Sequence, residues 1–167
     1  MYLLDANTYI QAKNLHYQMS FCPAYWNWLD LQFRAGTLGS ITSVYDELAN
    51  EKDELADWIK ARKEQFYPIS SQEIQNKMAE VAQHVVDLPN KNTGSVAEFL
   101  AGADPWLIAK ASLDGDIIVT HEVTVDDQSK KIKIPNISND FGVQCVNTFN
   151  LLKTLNARFI LETRIEE

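Results

Sequence analysis

The chain has 167 residues, of which 46% are hydrophobic and 23% are charged, and its formal net charge is −8. This length and composition exclude a disordered chain and favour one globular domain, residues 1–167, with a substantial core. The acidic balance argues against a protein that holds nucleic acid by neutralising many phosphates. It leaves open a local site built from carboxylates and a divalent cation.

Two further features indicate the expected compartment. No stretch approaches the roughly 20 apolar residues that span a bilayer, and the first residues lack the basic and long apolar segments of a signal peptide. We therefore expect a cytoplasmic protein that does not bind membranes. The two cysteines, Cys22 and Cys145, form neither a CxxC pair nor a disulfide framework, so we expect buried free thiols rather than a disulfide or a zinc site.

The first half of the chain alternates short apolar runs with longer helical segments. YLL before Asp5 predicts a buried strand, FCPAYWNWLDLQF predicts a helix that begins near Pro23, and GTLGSIT predicts a turn and a second strand. Ser43 is the expected start of one long charged helix, VYDELANEKDELADWIKARKEQF. FYPIS then predicts a third, brief strand.

The second half begins with SQEIQNKMAEVAQHVVDL, which predicts a helix, followed by the loop PNKNTG and a short helix in SVAEFLAG. Asp104 and Pro105 stand in the order of an N-cap and a first helical residue, and this helix is expected to end near Gly115. The β-branched run IIVT predicts a buried strand. KIKIP is expected to be a strand piece after a turn, GVQCV a final strand and NTFNLLKTLNARFIL a terminal helix.

This alternation of strands and helices predicts an α/β fold with a mainly parallel central sheet and helices on both faces. Binding sites in such folds lie beyond the carboxyl ends of the strands. The first strand ends at Asp5, and the IIVT strand ends at Thr120, His121 and Glu122. Both strands are therefore expected to deliver a carboxylate to the same edge of the sheet.

Two acids on helices are candidates for the same place. The buried stripe of the charged helix is predicted at Val44, Leu48, Leu55 and Ile59. Glu47 lies on the border of this stripe, whereas Asp46 points away from it. Asp104 lies at a helix start, where the helix dipole favours its ionised form. Together with Asp5 and Glu122, these acids would surround a pocket in which Mg²⁺ or Mn²⁺ offsets their mutual repulsion.

Each acid also has a purely structural interpretation, which the sequence leaves open. Asp104 is explained equally well as a helix cap, and Glu47 as a solvated helix residue. Asp5 and Glu122 are explained as charges at strand ends. The combination of the four acids, rather than any one of them, therefore favours a metal site.

Polar and basic residues flank the four acids. Asn7 would point to the same side as Asp5 if the strand continues, where it either orients a metal-bound water or caps the next turn. Thr120 is expected to support the site by hydrogen bonding. The cluster Lys130, Lys131 and Lys133 is expected to be a solvated hairpin or edge strand, with an RNA-contacting loop as the alternative.

Aromatic and histidine side chains receive structural interpretations. Trp26, Trp28 and Phe33 are expected in the core, although stacking on RNA bases or binding an antitoxin helix remains open. The histidines are not spaced like a zinc motif. His121 alternates with Thr120 and Glu122 in an extended strand, so it is expected to point away from the acids.

The motifs LLDAN, SVYDEL, ADPWLIAKA and VTHE follow one another along nearly the whole chain. With them the sequence resembles the PIN-domain ribonucleases, including the VapC-like toxins of bacterial toxin–antitoxin pairs. The first three motifs are similar to the PIN segments that carry an Asp, a Glu and an Asp. VTHE differs from the Thr-x-Asp of many PIN proteins because Glu122 is longer by one methylene. YQMSFCPAYW, DELADW and KIPN are similar to a PIN-like subfamily other than the typical short VapC.

The resemblance implies a PIN-like α/β/α sandwich that binds Mg²⁺ or Mn²⁺ through Asp5, Glu47, Asp104 and Glu122. It implies an endoribonuclease, the toxin of a type II toxin–antitoxin pair, which hydrolyses RNA by a metal-activated water and leaves 5′-phosphate and 3′-hydroxyl ends. The implied partners are RNA, a cognate antitoxin and a second copy of the chain.

The sequence also bears on two other functions, a protein-interaction module and a phosphatase. A noncatalytic PIN-like interaction module is the alternative if the VTHE end or a covered pocket prevents metal binding. A phosphatase-like protein is disfavoured, because the sequence has Asp5-Ala6-Asn7 where a phosphoryl-accepting site of the common type needs Asp-x-Asp.

Overall fold

The computed structural model describes residues 1–160. Within these residues, five strands form one sheet: β1 (Tyr2–Leu4), β2 (Leu38–Ile41), β3 (Phe66–Tyr67), β4 (Ile117–Val119) and β5 (Cys145–Val146). All neighbouring strands are parallel, in the order β3-β2-β1-β4-β5. The predicted α/β fold with a parallel central sheet is thus confirmed, and it is consistent with a PIN-like α/β/α sandwich.

Nine α-helices connect or follow these strands in the described part of the chain. They are α1 (Ala6–Gln11), α2 (Pro23–Arg34), α3 (Thr42–Ala49), α4 (Glu54–Lys60), α5 (Gln72–Asp87), α6 (Thr93–Ala101), α7 (Asp104–Asp114), α8 (Ile134–Asp140) and α9 (Thr148–Thr154). A π-helical turn, Ala12–His16, extends α1, and a 3-10 turn, Lys63–Gln65, precedes β3. Each helix of residues 1–160 is too short or too polar to cross a membrane.

The strand order assigns the connecting helices to two faces of the sheet. The connections from β1 to β2 and from β2 to β3 move toward one edge, whereas those from β3 to β4 and from β4 to β5 move toward the other. Since parallel connections are right-handed, α1–α4 cover one face and α5–α8 cover the opposite face. The packing of α1 on α3 and of α3 on α4, and that of α7 on α5, α6 and α8, agree with these two layers.

The core lies between the sheet and these helices. The central strands contribute Leu3, Leu4, Ile118 and Val119, which are fully buried because both faces of the sheet are covered. The aromatic helix α2 contributes Trp26 and Phe33, which are buried, and Trp28, which is partly buried against the core. Core packing is thus the observed role of these aromatic residues. Cys22 and Cys145 are free thiols, as expected, but they are partly rather than fully buried.

The prediction of a single long helix after Ser43 is wrong. The chain forms α3 and α4, and the helices are separated because Asp53 caps α4 by accepting the N–H of Ala56 at 2.9 Å. Lys13 forms an ion pair with the same carboxylate. Ser43 does not cap α3, since Ile41 precedes its first residue. The predicted stripe is nevertheless buried, at Val44, Leu48, Leu55 and Ile59.

Three expected elements near the ends of segments also differ from the structure. Residues 131–133 are not a strand, because Pro135 lies in the first turn of α8, where its missing N–H costs nothing. Part of the loop PNKNTG belongs to α6, whose start is capped by Asn92. The helix predicted over residues 147–161 ends at Thr154, before Asn156 adopts a positive φ of 51°; residue 161 lies outside the described residues.

Two leucines of α7 provide a matched test of the core. Leu107 is fully buried, whereas Leu113 is 39% exposed. We expect Leu107→Ala to lower the free energy of unfolding by about 2–5 kcal/mol, because it leaves a cavity. Leu113→Ala should lower it by less than about 1 kcal/mol. Urea denaturation followed by circular dichroism measures both, and equal losses would contradict the assignment of the core-facing side of α7.

Candidate acidic site

The sheet has its topological switch point between β1 and β4, where connections leave in opposite directions. Leu4 is aligned with Val119 in the parallel register, and the N–H of Asp5 donates to the carbonyl oxygen of Val119 at 3.0 Å. Asp5 and Thr120 therefore follow neighbouring strands at the same edge. Asp5 is only 3% exposed, so its carboxyl group is removed from water.

A hydrogen-bond network holds this edge together. The Thr120 hydroxyl donates to Oδ2 of Asp5 at 2.8 Å and accepts the side-chain N–H of Asn7 at 3.2 Å. Oδ1 of Asn7 accepts the backbone N–H of His121 at 3.1 Å. Asn7 lies in α1 rather than on a continued strand, because the chain turns directly after Asp5. The hydrogen bond expected of Thr120 is present, while its support of a metal ion stays a prediction.

Asp104 lies at the start of α7, but it is not the helix cap that the sequence predicts. Ala103 precedes the helix, and Asp104 is its first residue. Glu47 of α3 takes the capping role instead, since its Oε1 accepts the N–H of Ala103 at 2.8 Å. The half-buried Asp104 carboxylate has no hydrogen-bond or ion-pair partner among residues 1–160. It is therefore available for a ligand.

The helical phase of α3 agrees with the sequence-based expectation for its two acids. Asp46 and Glu47 are both exposed, and Glu47 is the one that reaches the start of α7. Its hydrogen bond to Ala103 places the carboxylate next to Asp104. Glu47 thus has an observed structural role, in addition to its predicted role as a metal ligand.

The four predicted acids share one electrostatic environment. Burial, followed by the charges of Glu122 and Glu47, raises the pKa of Asp5 to about 6, although the hydrogen bond from Thr120 opposes this shift. Burial, followed by the charges of Asp5, Glu122 and Glu47, raises the pKa of Asp104 to about 8, so the expectation that its position at a helix start favours the ionised form is wrong. The fold therefore brings these acids close enough to repel one another.

Glu122 differs from the other three acids because both its oxygens are engaged. Oε1 pairs with Nζ of Lys133, and Oε2 accepts the backbone N–H of Ile134 at 2.9 Å. Lys133 and Lys131 line a cavity of about 280 Å³ together with Asp104 and Glu122. Lys131 and Lys133 therefore lie on a loop beside the acids, whereas Lys130 is exposed and does not line this cavity. The interpretation of the segment as a hairpin or edge strand is wrong.

Two features of this loop were missed by the sequence analysis. The pairing of Lys133 with Glu122 has no local sequence signal, since the residues lie on different parts of a long loop. The start of α8 at Ile134 does have a signal, which is the proline at position 135. The extended strand expected at His121 is absent, because β4 ends at Val119. The His121 ring still points away from the acids, since it faces Phe149 and hydrogen-bonds with the hydroxyl of Thr148 at 2.8 Å.

The donor set can be compared with the needs of a hard cation. No group of three or more His, Cys, Asp or Glu side chains is arranged to hold one ion within residues 1–160. Mg²⁺ usually keeps several waters and binds through only one or two carboxylates. Asp5 and Asp104 provide two such carboxylates, of which Asp5 is buried and Asp104 half-buried. Their carboxylate chemistry is that which a hydrated Mg²⁺ or Mn²⁺ ion would need, and the binding of such an ion stays a prediction.

The fold and this edge define an α/β protein with carboxylates at the switch point of a parallel sheet. The family model described as "Domain of unknown function (DUF4411)" matches residues 2–159, and the chain belongs to this family. Comparison with curated proteins found no match, and comparison with solved structures found none.

The isolated charge of Asp104 gives a testable effect on stability. Because its pKa is about 8 in the folded protein, against an ordinary value of 3.8, the folded state retains a proton between these pH values that the unfolded chain releases. Without divalent ions, stability should therefore fall as pH rises from about 4 to about 8. At pH 8, Asp104→Asn should raise the free energy of unfolding by about 2 kcal/mol, because it removes an unpartnered charge.

The measurement is urea denaturation in EDTA at several pH values. Near pH 4 the Asp104→Asn variant and the wild type should have equal stability, since both side chains are then neutral. Asp114→Asn, at the exposed end of the same helix, is the control and should change stability by less than about 0.5 kcal/mol throughout. An Asp104→Asn variant less stable than the wild type at pH 8 would contradict the electrostatic interpretation.

Proposed function

We propose that this protein is a metal-dependent endoribonuclease of the PIN type, the toxin of a type II toxin–antitoxin pair. The supporting observation is the meeting of Asp5 and Asp104, which come from distant parts of the chain, at the switch point of the sheet. Neither carboxylate is neutralised by a basic partner among residues 1–160. A divalent cation is the ligand that satisfies two such groups.

In this proposal the residues of the site have different roles in RNA hydrolysis. Asp5 and Asp104 would hold the ion through carboxylate oxygens, with Glu47 beside them. Thr120 orients Asp5 by donating to its Oδ2. When bound, Mg²⁺ or Mn²⁺ supplies a water of lowered pKa and positive charge at the phosphate. No protein nucleophile is required, so products with 5′-phosphate and 3′-hydroxyl ends are expected.

Removal of either central carboxylate tests the metal site. Asp5→Asn and Asp104→Asn should abolish Mn²⁺ binding measured by calorimetry, because an amide carries no charge to offset that of the ion. Cleavage of single-stranded RNA should fall at least about 100-fold in both variants. Asp114→Asn is the matched control and should retain binding and cleavage.

The noncatalytic interaction module remains the second candidate, and one observation favours it. Both oxygens of Glu122 are already bonded to Lys133 and Ile134, so one of the four predicted ligands is engaged without a metal. If the folded wild-type protein binds no Mn²⁺ and cleaves no RNA at millimolar Mn²⁺, the nuclease proposal is refuted and the module is favoured.

The toxin role rests on the resemblance and needs a test in cells. In this proposal the protein acts in the cytoplasm, and its partners are RNA, a cognate antitoxin and a second copy of the chain. Induced expression in a bacterial host should stop growth within a few generations, since RNA cleavage halts protein synthesis. Asp104→Asn should restore growth at equal protein level. If growth arrest persists in this variant, the toxicity does not depend on the acidic site.

A further inference from the structure

The loop after β4 is tied to α8 by one acid–base pair beside the proposed metal site. Glu122 pairs with Nζ of Lys133 through one oxygen and accepts the N–H of Ile134 through the other. The Lys133 side chain is 32% exposed, and that of Glu122 is 17% exposed. The carboxylate is therefore the inner member of the pair, and the ammonium group is the member that meets solvent.

Movement of Glu122 into a metal-ligating position would be energetically unfavourable. Turning its carboxylate toward an ion would leave the N–H of Ile134 without its partner at the start of α8, and it would separate Lys133 from its counter-charge. A donor left without a partner in a partly buried place destabilises the folded protein. The observed arrangement is therefore the stable one for this corner of the site.

Lys133 retains capacity to bind an anion. An ammonium group has three donors, and one contact with Glu122 leaves two of them available. Lys133 and Lys131 line the same cavity as Asp104, and the charge of Lys133 lowers the pKa of Asp104, in opposition to its acidic neighbours. A phosphate bound between Lys133 and an ion on Asp104 would meet positive charge from both sides.

We propose that Glu122 is a positioning residue rather than a metal ligand, and that it holds Lys133 as a fixed cation that binds the phosphate of the RNA. Asp5 and Asp104 would then hold one divalent ion, and Lys133, which lines the same cavity as Asp104, would supply the second positive charge. This inference rests on the proposed nuclease function.

The first experiment measures RNA binding without metal, so that no cleavage occurs. The probe is a fluorescein-labelled single-stranded RNA in EDTA, followed by anisotropy at several salt concentrations. Lys133→Met should weaken binding at least about 5-fold and reduce the salt slope by about 0.7, the value for one lost phosphate contact on a single strand. Lys130→Met, an exposed lysine on the same loop, should change affinity less than about 2-fold.

Substitution of two acids distinguishes the positioning of Lys133 by Glu122 from a general effect of negative charge on RNA binding. Removing an acid near a polyanion should strengthen RNA binding, and we expect this for Glu98→Gln, which lines the same cavity. Glu122→Gln should instead weaken RNA binding, because Lys133 loses the partner that holds it. Stronger binding by Glu122→Gln would overturn the inference, as would no detectable RNA binding by the wild-type protein.

The second experiment titrates Mn²⁺ by calorimetry and electron paramagnetic resonance. The wild type and Glu122→Gln should each bind one ion, with affinities that differ by less than about 5-fold. If Glu122→Gln loses Mn²⁺ binding to the same extent as Asp104→Asn, Glu122 is a metal ligand. That result would overturn this inference but not the proposed function. Failure of the folded wild type to bind Mn²⁺ would instead overturn the proposed function. Thermal melting of each variant establishes that it is folded.

Discussion

The repulsion between Asp5 and Asp104 is the constraint on which the acidic site depends. Asp5 is buried and Asp104 is half-buried, and the charge of Asp5 adds to burial in raising the pKa of Asp104. A fold does not maintain such a pair for stability, because a neutral side chain in either place would cost less. The sheet places Asp5 beside Thr120, the residue after β4, and the start of α7 places Asp104 close enough for the charge of Asp5 to raise its pKa.

The groups around this pair are individually well satisfied. Thr120 hydrogen-bonds to Asp5, and Asn7 in turn hydrogen-bonds to Thr120, so the strand ends are rigidly connected. Glu47 binds the N–H of Ala103 and fixes the start of α7, which carries Asp104. The result is a supported site in which the central carboxylate of Asp104 alone is left without a described partner. Side chains that are fixed by hydrogen bonds around one carboxylate without a protein partner are typical of a ligand-binding site.

The acidic net charge and the proposed RNA substrate are compatible in physical terms. Broad attraction of phosphate is not available to a chain with a formal charge of −8. Positive charge is instead local: Lys131 and Lys133 lie at the cavity, and a divalent ion would add to them. RNA would then be bound mainly at the reacting phosphate, so that binding strength depends on the metal and on the position of Lys133.

The amino-acid sequence by itself determined the alternation of strands and helices, because the apolar runs and the helix-start and helix-end residues are local signals. It also placed Asp5 at a strand end and Glu47 on the inner border of its helix. It was wrong about Glu122, which lies on the loop beyond β4 rather than at a strand end. It did not predict the break between α3 and α4 or the missing strand before α8, where capping by Asp53 and a proline in the first helical turn decided the outcome.

Only the tertiary structure decided which acids have partners. Glu47 and Glu122 are bonded to backbone N–H groups that begin other helices, whereas Asp104, interpreted as a cap from its neighbours in sequence, is left without a partner among the described residues. Such pairings join segments far apart along the chain. They are set by strand order and by the direction in which each helix leaves the sheet, and no local pattern of residues encodes them.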